Sequence, residues 1–149
     1  MAKVLLPVDL QHESSWTKAL PVAVAQARLL DGKVWLMTVV PHLASGLDWR
    51  YAVRGEKKGS LDYDIKEIVK EAEHRLRQLR DEHIPPEFAG DVIGRHGTIY
   101  QEIVETAEEL PADLIVMTSH RPTLKDYLLG PNAARVVRHA KSSVHIVRD

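Results

Sequence analysis

Short apolar runs alternate along the chain with longer stretches in which apolar residues recur every three or four positions. Val4-Leu5-Leu6-Pro7-Val8 has the length and composition of a buried strand and stops at Asp9. From Glu13 to Leu30, Trp16, Leu20, Ala23, Val24 and Ala27 fall on one helical face, and Asp31-Gly32 supplies a helix-ending turn. Val34 to Val40 is apolar almost throughout, as expected of a strand covered on both faces. Leu61 to Arg80 carries the clearest stripe, Ile65, Ile68, Val69, Ala72, Leu76 and Leu79. Its Glu67, Lys70, Glu71, Glu73, Arg75 and Arg77 are expected to face water. Pro85-Pro86 blocks that helix, and Asp91 to Gly94 reads as a short strand. Thr98 with Gln101 has the capping-box pattern, opening a helix through Ile99, Ile103, Val104 and Ala107 that Pro111 closes. Leu114 to Met117 is again a buried-strand run, and Val144 to Val147 is the last strand.

Strands and helices therefore alternate from end to end. That pattern predicts an α/β fold, one domain over 1–149 with an open parallel sheet, right-handed crossovers and helices on both faces. Pro41 to Ser60 interrupts it, with Gly46, Gly55 and Gly59 and with Trp49 and Tyr51 among basic residues. A stretch of that length reads as a connector, or as a lid or partner surface using Trp49.

Composition narrows the function classes. At 149 residues the chain can bury a sizeable core. A formal net charge of −1 gives no electrostatic case for nucleic acid or an anionic membrane as partner. Without cysteine there is no thiolate nucleophile, disulfide or Cys-based metal site. No apolar run is long enough for a signal peptide's core or a bilayer span, so the expectation is a soluble cytoplasmic protein. Walker, Gly-x-Gly-x-x-Gly, Gly-x-Ser-x-Gly and HExxH patterns are all missing.

The chemistry concentrates between Leu114 and Ala140. The apolar run ends at Met117, a polar loop covers Thr118 to Asp126, and Tyr127 to Leu129 leads into Gly130-Pro131-Asn132. Ala133, Ala134, Val136, Val137 and Ala140 then form an apolar helical face. Gly130 offers backbone freedom, and Pro131 suits a first helical position, where its missing N–H would be unpaired anyway. A helix start beside a loop presents free N–H groups and a positive dipole end, an anion site.

This stretch resembles the universal stress protein family. Nucleotide-binding members carry Gly, two residues, Gly, about nine residues, Gly, then Ser or Thr. Here Thr118 and Arg121 stand at the first two glycine positions, the loop to Gly130 is one residue shorter, and Pro131 replaces the hydroxyl residue. Val136-Val137-Arg138-His139-Ala140 followed by Val144 to Val147 is also similar, and Ser119-His120-Arg121-Pro122 resembles a branch in which nucleotide binding occurs. The likeness covers nearly the whole chain. It implies a five-stranded Rossmann-like sheet of order 3-2-1-4-5 and ATP or a related adenine nucleotide as ligand, with Mg2+ as the ion a triphosphate can bring.

The resemblance also implies roles. Asp9 would accept from a ribose hydroxyl or the adenine amino group; read alone, it caps a helix or anchors a turn. The Val39 backbone would meet adenine, with Pro7 and Met117 lining the base; each is equally good as core. Arg121 would meet phosphate through its planar fork, or is an exposed loop arginine. His120 suits hydrogen bonding or stacking rather than catalysis, since no paired carboxylate activates it in sequence. Asn132 would replace the missing hydroxyl, or caps its helix. Ligand would then lie between Asp9 and the Thr118 to Ala133 segment. Gly94 to Gly97 reads as a strand-to-helix turn that could border ribose or phosphate. No catalytic residue is assigned, and slow hydrolysis would lack a convincing base. Three functions follow in order: a nucleotide-binding stress module, an interaction module that has lost nucleotide, and a nucleotidyl transferase. The first strand lacks the His-x-Gly-His of the last. A homodimer through the apolar last strand is expected, with Arg148 and Asp149 guarding only its end.

Overall fold

The computed structural model describes residues 1–41, 65–119 and 130–148. Five parallel strands, β1 (Ala2–Pro7), β2 (Gly32–Val40), β3 (Ala89–His96), β4 (Leu114–Thr118) and β5 (Ser143–Val147), form one sheet of order β3-β2-β1-β4-β5. The helices between them are α1 (Ala19–Leu29), α2 (Ile65–His83), α3 (Ile99–Glu109) and α4 (Pro131–His139). The α/β class, the parallel sheet and its order agree with the sequence expectation.

Side chains that alternate across the strands build a core on each face. Val4, Leu6, Val34, Leu36, Leu114 and Val116 pack on one face with Ala23 and Ala27 of α1 and Leu76 and Leu79 of α2. Leu5, Met37, Val39, Ile115 and Met117 pack on the other with Ile103 and Ala107 of α3 and Ala133 and Val136 of α4. α1 and α2 thus cover one face while the chain winds from β1 out to β3. α3 then carries it back to β4, on the far side of β1, along the opposite face. The winding reverses between β1 and β4.

Several boundaries differ from the sequence reading, each for a local reason. The first helix is not continuous from Glu13. A 3-10 turn at Glu13–Ser15 precedes α1, which begins at Ala19. Pro21 has no N–H to bond back to Thr17, so it fits only the first turn of a helix. Asp31 takes φ 56 directly after α1, the left-handed turn expected there. β3 runs over Ala89–His96, longer at both ends than Asp91 to Gly94.

Thr98 does sit at the N-cap of α3, but its hydroxyl makes no capping bond, and Gln101 Nε2 turns to the Tyr100 hydroxyl at 3.5 Å. Gly97 has φ 149 and donates its N–H to the Val40 carbonyl at 3.0 Å, so the tight strand-to-helix turn needs a glycine. Not all of α2's charged residues face water: Glu73 Oε2 accepts from the Gly94 N–H at 3.0 Å. In α4, Ala133 and Val136 are buried whereas Ala134 and Val137 are exposed, so the helix covers the sheet with a narrower stripe than its apolar content implies. The expectations for Pro41 to Ser60, apart from Pro41 itself, lie outside the described residues, as does the start of the helix expected from Leu61.

Candidate functional site

In open parallel sheets the reversal of winding leaves a crevice beyond the carboxyl ends of the strands. A cavity of about 300 Å³ lies there. Pro7, Val8 and Asp9 leave β1, Thr38, Val39 and Pro41 come from the end of β2, and Met117 and Thr118 end β4. Ile99 and Ile103 of α3 and Asn132 of α4 close the side. Gln11, His12 and Ser15 form the rim. The volume is at the lower end of ligand pockets, and a wall that mixes apolar side chains with polar ones suits a flat organic ring with polar edges.

The rim is built by Asp9. Its Oδ1 accepts from the Gln11 N–H at 2.9 Å, and its Oδ2 lies 3.0 Å from His12 Nδ1. A carboxylate only accepts, so Nδ1 carries the hydrogen. The Asp9 N–H donates to Ser15 Oγ at 2.8 Å, and that hydroxyl donates back to the Asp9 carbonyl at 3.0 Å. Asp9 is therefore a turn anchor, one of the two roles open from the sequence. Its side chain stays half exposed and lines the cavity, and two bonds leave lone pairs to spare on its two oxygens.

The other hydroxyls of the wall are committed. Thr38 Oγ1 donates to the Val8 carbonyl at 2.8 Å and is buried. Thr118 Oγ1 donates to the Ser15 carbonyl at 3.0 Å, pinning the rim to the end of β4. Thr118 thus works as a tie at the position where a phosphate-loop glycine would stand.

Pro7, Asp9, Val39, Met117, Thr118 and Asn132 meet around one space. Gly130, Pro131 and Ala133 are not among its described lining residues. Gly130 is the N-cap of α4, with an ordinary φ of −62, so the freedom of a glycine is not used there. Pro131 occupies the first helical position, and Ala133 is buried in the core. His120 and Arg121 lie outside the described residues. The sequence reading missed Val8, Gln11, His12, Ser15, Thr38, Pro41, Ile99 and Ile103 as lining residues. An Asp followed by Ser six residues on, just after a strand, was the signal for the rim; Ile99 and Ile103 look like any core stripe. Gly94 and Gly97 are not among the described lining residues either. Among the described residues no group of three His, Asp or Glu could hold a metal ion, and no helix is long and apolar enough to cross a membrane.

A five-stranded parallel sheet of this order with a cavity over its switch point defines a Rossmann-like α/β protein. The universal stress protein family model matches residues 1–148, and the chain belongs to that family. Universal stress protein G of Shigella flexneri is 33% identical over 150 aligned positions, covering 97% of each chain. Universal stress protein UspA of Lactobacillus plantarum shares the fold at a TM-score of 0.67 and 21% identity, over 99% of this chain and 97% of the other. A universal stress protein solved in complex with cAMP superposes at 0.57 with 24% identity, over 99% and 96%.

Proposed function

We propose that this universal stress protein binds ATP or a related adenine nucleotide in the switch-point cavity and acts as a cytoplasmic stress-response or signalling module. One observation carries the reading: a single cavity is lined by the apolar Pro7, Val39 and Met117, by the Asp9 carboxylate, and by Asn132 in the first turn of α4. Apolar side chains of this kind suit the face of a base, and the spare lone pairs of Asp9 suit a ribose hydroxyl or the adenine amino group. The first N–H groups of α4, Asn132 and Ala133 after the proline, suit phosphate together with the Asn132 amide. Mg2+ would arrive with the phosphates, since it keeps waters and phosphate oxygens as ligands. The fold neighbour solved with cAMP is consistent with this ligand class. We also infer that two copies pair through β5.

Calorimetry with ATP, ADP, AMP and adenosine tests the reading, and the expected result is saturable heat for the adenine nucleotides. No heat and no thermal shift at millimolar nucleotide would favour the second reading, an interaction module without nucleotide. Thr118 favours that second reading, because a tied hydroxyl stands where backbone would approach phosphate.

A further inference from the structure

We propose that Tyr100 is a positioning residue, clamping α4 so that Asn132 presents its amide to the cavity. Tyr100 sits in the first turn of α3, next to Ile99, and Ile99 and Ile103 form the cavity's side wall. It reaches across to α4. The Tyr100 ring stacks with the His139 ring, centroids 5.7 Å apart at 30°, and the Arg135 guanidinium carbon lies 5.4 Å from the Tyr100 centroid. Asn132, Arg135 and His139 recur at intervals of three and four along α4, so they share one stripe of the helix. Tyr100 grips two members of that stripe, and the third is Asn132 at the cavity.

The clamp answers a need of this short helix. α4 spans only 9 residues, and Ala133 and Val136 are its buried residues. Those two side chains seat the helix on the sheet, and the partly buried α3 residues packed against the same cluster, Tyr100 among them, bear on its rotation about its own axis. The direction of Asn132 depends on that rotation. An aromatic ring in contact with both a guanidinium and an imidazole of the stripe fixes it, at distances that stacking and cation–π contacts both prefer.

The inference rests on the nucleotide reading of the cavity, and a double-mutant cycle tests it with ATP as the probe. Tyr100→Ala and Asn132→Ala should each weaken ATP by roughly threefold to tenfold, within the range of one such contact. The double variant should lose no more than Asn132→Ala alone, and Tyr100→Phe, which keeps the ring, should bind as the wild type does. Additive losses, or full affinity in Tyr100→Ala, would overturn the clamp. Should Tyr100→Ala not fold, Arg135→Ala with His139→Ala removes the other half of the clamp. A second readout needs no ligand: the Asn132 side-chain amide resonances of the free protein should shift and broaden in Tyr100→Ala and stay in place in Tyr100→Phe. Unchanged Asn132 resonances would overturn the proposal. If the wild type gives no heat with ATP, the nucleotide reading fails, and these resonances decide the clamp by themselves.

Discussion

At Asp9 one carboxylate both holds a turn and faces a cavity, and a single-atom change separates the two roles. In Asp9→Asn the carbonyl oxygen can still accept the Gln11 N–H. The amide NH2 would then oppose the Nδ1–H of His12 and offer a ligand hydroxyl a donor instead of an acceptor. The melting temperature should fall little, while affinity drops about tenfold, the order expected when a hydrogen bond to a charged group is lost. ATP and adenosine should lose affinity equally, because Asp9 is assigned to the nucleoside. Calorimetry and thermal melts read both effects, and ATP binding that survives Asp9→Asn in full would remove Asp9 from the site. Legibility at this scale followed chemistry. A charged residue directly after an apolar strand stands out, so Asp9 was found. Thr38, Ile99 and Ile103 were not, because a side chain at the open end of a core has the same identity as one in its middle. Gln11 and His12 enter the rim only through the turn that Asp9 and Ser15 tie together.

Elements were legible wherever periodicity alone decides them, and their ends were not. α2 kept its stripe because buried Ile68, Ala72, Leu76 and Leu79 recur on one face. Periodicity misplaces the start of α1 because a proline inside an amphipathic pattern weighs less in a count of apolar positions than in the hydrogen-bond ladder it breaks. β3 reads short in the sequence because Gly90, Gly94 and Arg95 dilute its apolar pattern; its pairing with β2 fixes it instead. The β2–β3 register shifts between Val34 and Leu36, and Gly90 lies at that irregularity under the Trp35 indole. A Cβ built on Gly90 would lie 2.5 Å from Trp35 Cδ2, and the rigid, partly buried ring cannot yield without shifting the strand. Gly90→Ala should therefore destabilise the fold by about 1–3 kcal/mol, the usual cost of overpacking. Urea unfolding followed by circular dichroism measures it, and an unchanged midpoint would show that the indole moves aside cheaply.

For the whole molecule, the two sheet edges differ in what they offer a second copy of the chain. An edge strand offers unpaired backbone groups to any neighbour, and a protein either covers them or uses them. The β3 edge is covered by α2: Glu73 accepts from the Gly94 N–H, and Arg80 Nη1 donates to the Gly90 carbonyl at 3.1 Å. At the other edge, the Val147 carbonyl accepts from the Ser119 N–H at 3.1 Å, so Val147 turns its backbone groups toward β4. By the period of two, Val144 and Ile146 turn theirs outward. Antiparallel pairing of β5 with its own copy about a two-fold axis would satisfy both outward rows with one self-complementary patch. Val144→Pro is then a selective probe, because it removes an outward donor while the inward ladder to β4 keeps its own. Light scattering at micromolar concentration should give about twice the chain mass for the wild type, the value for a two-fold dimer. The same measurement should give a monomer for Val144→Pro, with circular dichroism confirming that the variant is folded. A wild type that stays monomeric at high concentration, or a folded Val144→Pro that stays dimeric, would place the contact elsewhere.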